Sequence, residues 1–206
     1  MSTWKGYEVL DWLDPDPRES EDDELDIQYF DTGSPVGRSE RVVLEDAPAP
    51  LRSWQFTFFT LAELKPFRDF LERIAGRLNR FWMPSWRDDL SLQADLSTSS
   101  NALKIVRVGY SDGMFVNTGA RRHLAFSDPG GAMSFTLATA AADDPTNGRE
   151  NLTINPTFGR SWSKSTARIS FLRLVRLERD LSEIRFLNGA TCELVTREVP
   201  MEAPTT

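Results

Sequence analysis

Residues 51–92, LRSWQFTFFTLAELKPFRDFLERIAGRLNRFWMPSWRDDLSL, decide the fold of this chain. The segment 51–59 alternates apolar and polar side chains, as a half-buried strand does. A helix is predicted at about 61–75, and an aromatic run, FWMPSW at 81–86, follows it. We therefore expect one principal α-helix that packs against a sheet, with Trp54 on the apolar face of the strand.

The helix prediction rests on its two ends and on one apolar stripe. Thr60 and Glu63 have the spacing of a capping box, in which hydroxyl and carboxylate each accept a free backbone N–H of the first turn. Gly76 is expected to end the helix in a left-handed conformation. Pro66 removes a backbone hydrogen bond, so we expect a kink or a restart there. The stripe recurs every three or four residues and consists of Leu61, Leu64, Phe67, Phe70, Leu71 and Ile74.

Most of the remaining chain predicts short strands separated by turns. Asn188-Gly189 lies between two alternating segments and favours a tight hairpin. We expect a mainly β (β-rich α+β) protein, with an antiparallel sandwich or a split-barrel-like sheet. Short strands and an acidic arm occupy 1–50, a β-rich core occupies 51–200, and a tail covers 201–206. These parts are expected to form a single structural domain.

Composition excludes several classes of protein. With 40% hydrophobic residues in 206, the chain can bury one sizeable core or two small ones. A single cysteine, Cys192, excludes an internal disulfide framework and a multi-thiolate metal site, which fits a reducing compartment. The sequence has no signal-peptide pattern and no apolar run of membrane length. We expect synthesis and assembly in the cytoplasm, without membrane insertion.

The net charge of −7 is concentrated in one segment. Residues 14–26, DPDPRESEDDELD, hold eight acidic side chains and one arginine, and the rest of the chain is balanced. A solvated, extended arm is the first interpretation, because a like-charge block repels itself. A calcium loop is disfavoured, because the segment lacks the turning glycine. The alternative is an arm that docks on a basic surface of a neighbouring subunit through Glu21, Asp22, Asp23 and Glu24.

The one histidine, His123, is expected in a loop or on an edge strand. A Ser-His-Asp arrangement would need a hydroxyl and a carboxylate held beside it. With one histidine and one cysteine, a zinc site would consist mostly of carboxylates, which structural zinc rarely uses. We predict no catalytic, cofactor-binding or metal-binding residue, and the chain is not expected to be an enzyme.

Two carboxylate pairs leave glycosidase chemistry open. Asp88-Asp89 and Asp143-Asp144 could supply the acids, and Trp82 and Trp86 could stack on a sugar. Adjacent aspartates on an extended segment point to opposite sides, however, so neither pair can face itself across a cleft. We therefore interpret the tryptophans as buried packing residues and the aspartates as solvated.

Several arginines are candidate phosphate or interface contacts: Arg121, Arg122, Arg173, Arg176 and Arg179. No aromatic interleaving or fold signature accompanies them, so nucleic-acid recognition is not predicted. Pairing with Glu178, Asp180 and Glu183 at a subunit interface is favoured, because arginine suits bidentate interface contacts. The candidate assembly or packing residues are Trp54, Phe70, Trp82, Trp86, Arg173 and Arg176.

Two segments resemble structural proteins at the tail tip of tailed bacteriophages. In residues 51–92 the resemblance lies in the RSW strand, the helix that closes in GR, and the run FW-PSW-DDL. Residues 169–200, ISFLRLVRLERDLSEIRFLNGATCELVTREVP, are similar to the closing strands of such proteins. Together these segments cover roughly a third of the chain, in the expected order.

The resemblance to the distal tail family implies a β-rich, split-barrel-like ring domain with one helix and no cofactor. It implies a homo-oligomeric ring, with six-fold symmetry favoured, at the tail tip of the virion. The partners would be other copies and other tail proteins of the tube, hub or fibres, used in host attachment. The acidic insert departs from the family pattern, so ring, baseplate hub component and fibre connector stay open.

A virion structural protein is the first function hypothesis. A monomeric β-sandwich carbohydrate-binding module that uses Trp82 and Trp86 is the alternative, and a hydrolase with paired carboxylates is third. Many short strands and a surplus of large apolar residues favour assembly, because a closed ring covers edges and patches. Size in solution distinguishes these hypotheses, since the module and the enzyme should be monomers and the ring protein an oligomer.

Overall fold

The structure is a computed structural model and describes residues 2–12, 23–26, 29–32, 40–43, 49–116, 119–129, 133–179, 184–186, 189–199 and 203–204. The chain divides into two compact units. The first unit comprises Met1–Asp14, Arg80–Val175 and Val199–Thr206, and the second comprises Pro15–Asn79 and Arg176–Glu198. Because compact units can belong to one domain, the single-domain expectation stays a prediction.

The fold is mainly β, as predicted, with one α-helix of any length in the described part of the chain. That helix is α1 (Leu61–Ile74), and none of the described helices is long and apolar enough to span a membrane. The strands are β1 (Ser2–Trp4), β2 (Tyr7–Val9), β3 (Asp23–Asp26), β4 (Tyr29–Thr32), β5 (Glu40–Val43), β6 (Ala49–Phe58), β7 (Phe81–Pro84), β8 (Ala102–Val106), β9 (His123–Ser127), β10 (Ser134–Asp144), β11 (Arg149–Asn155), β12 (Arg168–Leu177), β13 (Ile184–Phe186) and β14 (Ala190–Glu198). Short helical turns lie at Tyr110–Phe115, Gly119–Arg122 and Pro145–Asn147.

Strand pairing in the first unit closes on itself. β12 pairs with β9, β9 with β10, β10 with β11 and β11 with β8, all antiparallel. The segment 90–92 joins the two ends, because Leu90 bridges Ile169 of β12 and Leu92 bridges Ile105 of β8. Buried side chains from every member of this circuit form one core cluster. Of the two predicted β architectures, this unit therefore has the barrel-like one.

A second layer covers the other face of β9. β1 and β2 form a hairpin around Lys5 and Gly6, which both have positive φ, as a two-residue turn of matching twist requires. β2 runs parallel to β7, and β7 pairs antiparallel with β12. The buried cluster between these strands and β9 consists of Trp4, Val9, Trp82, Ala125, Leu137, Leu172, Leu174 and Ala203.

The second unit is built around β6. β14 pairs antiparallel with β6, from Ala190 opposite Phe58 to Arg197 opposite Leu51. β3 pairs with the same strand, and β13 pairs with β14. The β13–β14 hairpin confirms the prediction at Asn188-Gly189, although Asn188 lies outside the described residues. β4 and β5 form a separate two-stranded sheet.

The ends of α1 follow the capping logic with two differences. Thr60 Oγ1 accepts the backbone N–H of Glu63 at 3.2 Å, and Glu63 Oε2 accepts that of Phe59 at 3.0 Å, one residue earlier than a capping box expects. Gly76 has the expected positive φ, 64°, but the helix ends one residue earlier than expected, because Ala75 is already left-handed with a φ of 49°. The expected restart at Pro66 was wrong, because the helix continues through it. Packing of the buried face of α1 stabilises the turn in which Pro66 cannot donate a backbone hydrogen bond.

The helix buries most of its predicted stripe. Leu64, Phe67, Phe70 and Ile74 are buried, whereas Leu61 is exposed and Leu71 half-buried. The Phe67 ring centroid lies 4.8 Å from that of Phe58. Trp54, on the buried face of β6 as expected, donates its indole N–H to Thr196 Oγ1 at 3.2 Å. Trp54 and Phe70 are thus packing residues of the second unit.

Candidate functional site

His123 begins β9 and is fully buried in the second layer of the first unit. Its Nδ1 accepts the indole N–H of Trp4 at 3.0 Å, and its Nε2 lies 2.7 Å from the carbonyl oxygen of Pro204. Because Nδ1 accepts, Nε2 carries the proton and donates it to Pro204. The expectation of a loop or edge-strand histidine was wrong, since β9 has a strand on either side.

This geometry gives His123 a structural role. Burial lowers its pKa to about 4, despite the Pro204 hydrogen bond that acts in the opposite direction, and Lys5 lowers the pKa further. Both ring nitrogens bind groups that cannot act as a nucleophile or as an orienting carboxylate. A Ser-His-Asp arrangement is therefore not formed at His123 in this structure.

Asp88 and Asp89 attach their loop to β12. Asp89 Oδ2 accepts the hydroxyl of Ser85 and, at 2.7 Å, the backbone N–H of Phe171. Asp88 Oδ1 lies 3.4 Å from the backbone nitrogen of Ile169. Burial raises the pKa of Asp89, although these hydrogen bonds lower it. The expectation that both aspartates are solvated was wrong for Asp89, which is half-buried. Its carboxylate faces β12 because it accepts the backbone N–H of Phe171 there.

The tryptophans of this run do not form the expected sugar platform. Trp82 is fully buried, with its indole N–H donated to the carbonyl oxygen of Trp4 at 2.8 Å. Trp86 is half-buried and has a φ of 51°, where the chain turns sharply after β7. A sugar cannot stack on Trp82, so the stated basis of the carbohydrate-binding alternative is lost, whereas the packing role of Trp82 is confirmed.

Asp143 and Asp144 each bind an arginine. Arg107 donates to both oxygens of Asp143 at 2.7 Å, and Arg149 donates to Asp144 at 2.8 Å. The pKa of Asp143 is lowered mainly by Arg107, and that of Asp144 by Asn147 and then Arg149. A glycosidase needs one carboxyl with a raised pKa to act as the acid. In the Asp143-Asp144 pair both carboxyls have a lowered pKa, so neither is suited to act as that acid.

The candidate arginines lie in different environments. Arg173 is buried, and Arg176 is half-buried. The guanidinium of Arg121 lies 5.5 Å from the ring centroid of Phe171, and that of Arg122 lies 4.4 Å from that of Phe115. Burial of Arg173 argues against contact with an external phosphate.

The acidic partners proposed for these arginines are only partly described. Glu178 binds Arg197 at 2.7 and 3.1 Å. Asp180 and Glu183 lie outside the described residues. The same holds for Glu21 and Asp22, whereas Asp23 and Glu24 belong to β3, where they lie opposite Arg52 and Leu51 of β6. The backbone of this part of the acidic arm therefore pairs within its own unit.

Sequence reasoning missed Glu150, a fully buried carboxylate on β11. Oε1 accepts the backbone N–H groups of Val108, Gly109 and Tyr110 at 2.8, 2.8 and 3.1 Å, and Oε2 accepts that of Ser111 at 2.5 Å. Burial raises the pKa of Glu150, but the hydrogen bonds outweigh it and the pKa is lowered. The burial of Glu150 was predictable from strand alternation, because Glu150 shares one face of β11 with Leu152 and Ile154.

Glu150 anchors the π-helical turn Tyr110–Phe115 to β11. Tyr110 is fully buried in the barrel core, where its ring stacks on Phe171 with 6.0 Å between centroids, and its hydroxyl donates to the carbonyl oxygen of Arg121. The turn thus places an aromatic side chain in the barrel core, and the carboxylate satisfies the backbone donors that this placement buries.

A groove of about 310 Å³ lies at the start of α1 in the second unit. It is lined by Phe58, Phe59, Thr60, Leu61, Leu64, Phe186, Gly189 and Ala190. Phe59, Leu61 and Phe186 are 79, 77 and 59% exposed. Gly189 fits the wall closely, because a Cβ there would lie 3.0 Å from the Phe58 carbonyl oxygen. We name these residues the apolar groove.

A second depression, of about 320 Å³, lies in the first unit and is polar. It combines one indole with carboxylates, hydroxyls and a guanidinium, from Asp11, Trp12, Ser127, Asp128, Pro129, Met133, Thr166 and Arg168. Asp128 is bound by Arg160 at 3.0 Å. We name these residues the polar pocket, and their chemistry suits a small hydroxylated ligand.

The described residues contain no group of three His, Cys, Asp or Glu side chains placed to share a metal ion. The thiol of Cys192 is buried, and burial raises its pKa to about 11, so it is a poor nucleophile at neutral pH. Comparison of the chain with known protein families and with curated protein sequences finds no match.

Proposed function

We propose that this chain is a structural protein of a phage virion, a subunit of a ring at the tail tip that joins the tail tube to the tip or the fibres. The resemblance in residues 51–92 and 169–200 supports it. The barrel-like circuit, together with α1 as the one long helix of the described residues, has the β-rich character that this resemblance implies.

The observation that carries the proposal is the apolar groove. Three large apolar side chains in one groove, each more than half exposed, form a surface that a monomer leaves in water. Such grouped exposure is typical of protein–protein contact sites. The guanidinium of Arg68 lies 5.6 Å from the ring centroid of Phe186, so a cation borders the groove. A partner surface with apolar and acidic side chains would complement both features.

The partner that we assign is a second copy of this chain. A ring with head-to-tail contacts needs two different surfaces on each subunit. The groove supplies one, and the first unit exposes a separate apolar set that consists of Val106, Val108, Met114 and Val116. The acidic residues of 14–26 supply the charge opposite to Arg68. One chain thus offers a candidate for each of the two surfaces that the ring requires.

Two substitutions of the same residue type test this contact. Leu61 lines the groove, and Leu78 lies outside it with nearly the same exposure, 77 against 79%. Leu61→Glu places an acid in the first turn of α1, which the helix dipole favours, so the helix itself is not weakened. Light scattering during size exclusion should show a wild-type multiple of 23.3 kDa, a monomer for Leu61→Glu and an unchanged multiple for Leu78→Glu. A monomeric wild type at all concentrations would contradict the ring.

The place in the virion needs a test in particles. Deletion of the gene from its phage should leave tails without a tip, and electron microscopy of lysates would show them. Complementation with wild-type protein, but not with Leu61→Glu, should restore complete tails. Complete tails and normal infectivity without the gene would refute the proposed function.

A carbohydrate-binding module remains the second candidate, because one observation favours it. The polar pocket sets Trp12 beside Asp11, Asp128 and Arg168, which are side chains that stack on and hydrogen-bond to sugars. Calorimetric titration with a panel of mono- and disaccharides, on wild type and Trp12→Ala, tests this. Binding by a monomeric wild type that Trp12→Ala abolishes would favour the module over the ring.

A further inference from the structure

His123 joins two separate segments of the first unit to the centre of its sheet. β1 contributes the Trp4 indole, and the segment 203–204 contributes the Pro204 carbonyl. The imidazole also lies 4.5 Å from the Trp82 ring, centroid to centroid. β1 and the segment 203–204 therefore share one attachment point on β9.

The attachment of β1 requires a neutral imidazole, whereas Nε2 donates to Pro204 in either protonation state. A neutral ring has one acceptor and one donor, and here Nδ1 accepts from Trp4 while Nε2 donates to Pro204. Protonation turns Nδ1 into a donor, so two N–H groups would face each other 3.0 Å apart. The Trp4 hydrogen bond and the imidazolium cannot coexist, and the buried charge adds its own cost.

The surroundings of the ring also oppose a positive charge. Lys5 is the charged neighbour on β1's turn, with its Nζ 5.4 Å from the Trp4 ring centroid, and it repels an imidazolium. The side chains that β7, β10 and β12 contribute to the same cluster are apolar, namely Trp82, Leu137, Leu172 and Leu174. Among the described residues no carboxylate raises the pKa of His123, so none compensates a proton there.

We propose that His123 is an acid-operated latch, which holds β1 on β9 while its imidazole is neutral and releases β1 on protonation, whereas the segment 203–204 keeps its hydrogen bond from Nε2. The core of the barrel-like circuit is a separate cluster, so release leaves it intact. The pKa of His123 is about 4 in the closed state, with β1 attached, and about 6.5 in the open state, with β1 released. The latch therefore responds to pH between these two values. Opening is favoured as pH falls from 6.5 to 4 and levels off below.

Hydrogen–deuterium exchange with mass spectrometry tests the latch, with labelling times scaled to the intrinsic exchange rate at each pH. The peptide that covers Ser2–Val9 should lose protection about ten-fold per pH unit between 6.5 and 4, in total about 300-fold. The peptides that cover 199–204 and Arg149–Asn155 should keep their protection. A flat profile in the Ser2–Val9 peptide, or a parallel loss in all three, would overturn the latch.

Lys5→Asn gives a matched variant. Asparagine tolerates the positive φ at this turn position, so the hairpin is retained while the cation is removed. The pKa of His123 in the closed state should rise, so the Ser2–Val9 peptide should reach its plateau at a higher pH, with a smaller total loss of protection. His123→Asn removes the titration altogether. If the His123→Asn variant does not fold, Lys5→Asn alone tests the latch. A plateau of protection at the same pH as in wild type would then overturn the proposal.

Discussion

Glu150 Oε1 accepts the backbone N–H of Gly109 at 2.8 Å, just beyond the end of the β8–β11 pair where Glu150 lies opposite Ile105. The same carboxylate binds the N–H groups of Val108, Tyr110 and Ser111. Four consecutive backbone donors thus depend on one side chain that lies far away in sequence.

Glu150→Gln should destabilise the first unit strongly. Glutamine keeps the volume but replaces one acceptor oxygen with a donor, so at least one buried N–H loses its partner. Loss of hydrogen bonds to a charged acceptor costs about 1.5–3 kcal/mol each. We expect urea denaturation at pH 7 to show a loss of about 2–4 kcal/mol in the free energy of unfolding. As a control, Glu193→Gln, on an exposed site of β14, should change it by less than about 0.5 kcal/mol.

The Glu150 contribution should also depend on pH. Its pKa in the folded protein is lowered, whereas the unfolded chain has the ordinary value of 4.5. The stabilisation is therefore complete above pH 4.5 and is lost as pH falls through the lower folded pKa. The difference in unfolding free energy between wild type and Glu150→Gln should shrink between pH 5 and pH 3. A difference that is constant over this range would show that the carboxylate charge is not involved.

Phe70→Ala should weaken the second unit. Phe70 is fully buried on α1, and loss of a buried phenylalanine side chain costs about 3–5 kcal/mol through lost burial and the cavity left behind. Thermal unfolding should show a clear fall in melting temperature. Leu78→Ala is the control, since Leu78 is 79% exposed and lies outside the apolar groove, and it should melt like wild type. Equal melting of both variants would contradict the assigned helix face.

Neutralising the acidic arm should weaken assembly and leave the fold intact. The change is Glu21→Gln, Asp22→Asn, Asp23→Asn and Glu24→Gln, and salt should mimic it, because the screening length falls from about 10 Å at 0.1 M to about 3 Å at 1 M. Light scattering across a salt series measures both effects. Glu72→Gln with Asp112→Asn is the control, as both acids are exposed elsewhere. If the quadruple variant assembles like wild type at every salt concentration, the arm is only a solvated loop.

Local patterns in the sequence predicted the elements that depend on near neighbours. The alternation in 51–59 and the Thr60–Glu63 spacing predicted β6 and the start of α1, because a strand face and a helix cap are decided within a few residues. The hairpin between β13 and β14 followed from Asn-Gly for the same reason. The apolar face of α1 was predicted except at Leu61, whose exposure depends on what α1 packs against.

Long-range pairing decided the rest. His123 reads as a surface residue next to Arg121 and Arg122, and it is buried because Trp4 and Pro204 reach it across separations of 119 and 81 residues. Alternation along β11 places Glu150 on the buried face, but only the tertiary structure supplies its partners, the four backbone donors of residues 108–111. A polar side chain can be buried only when its partners are supplied. The sequence by itself determined strand and helix identity, whereas the tertiary structure decided which polar groups are interior, since those partners come from distant segments of the chain.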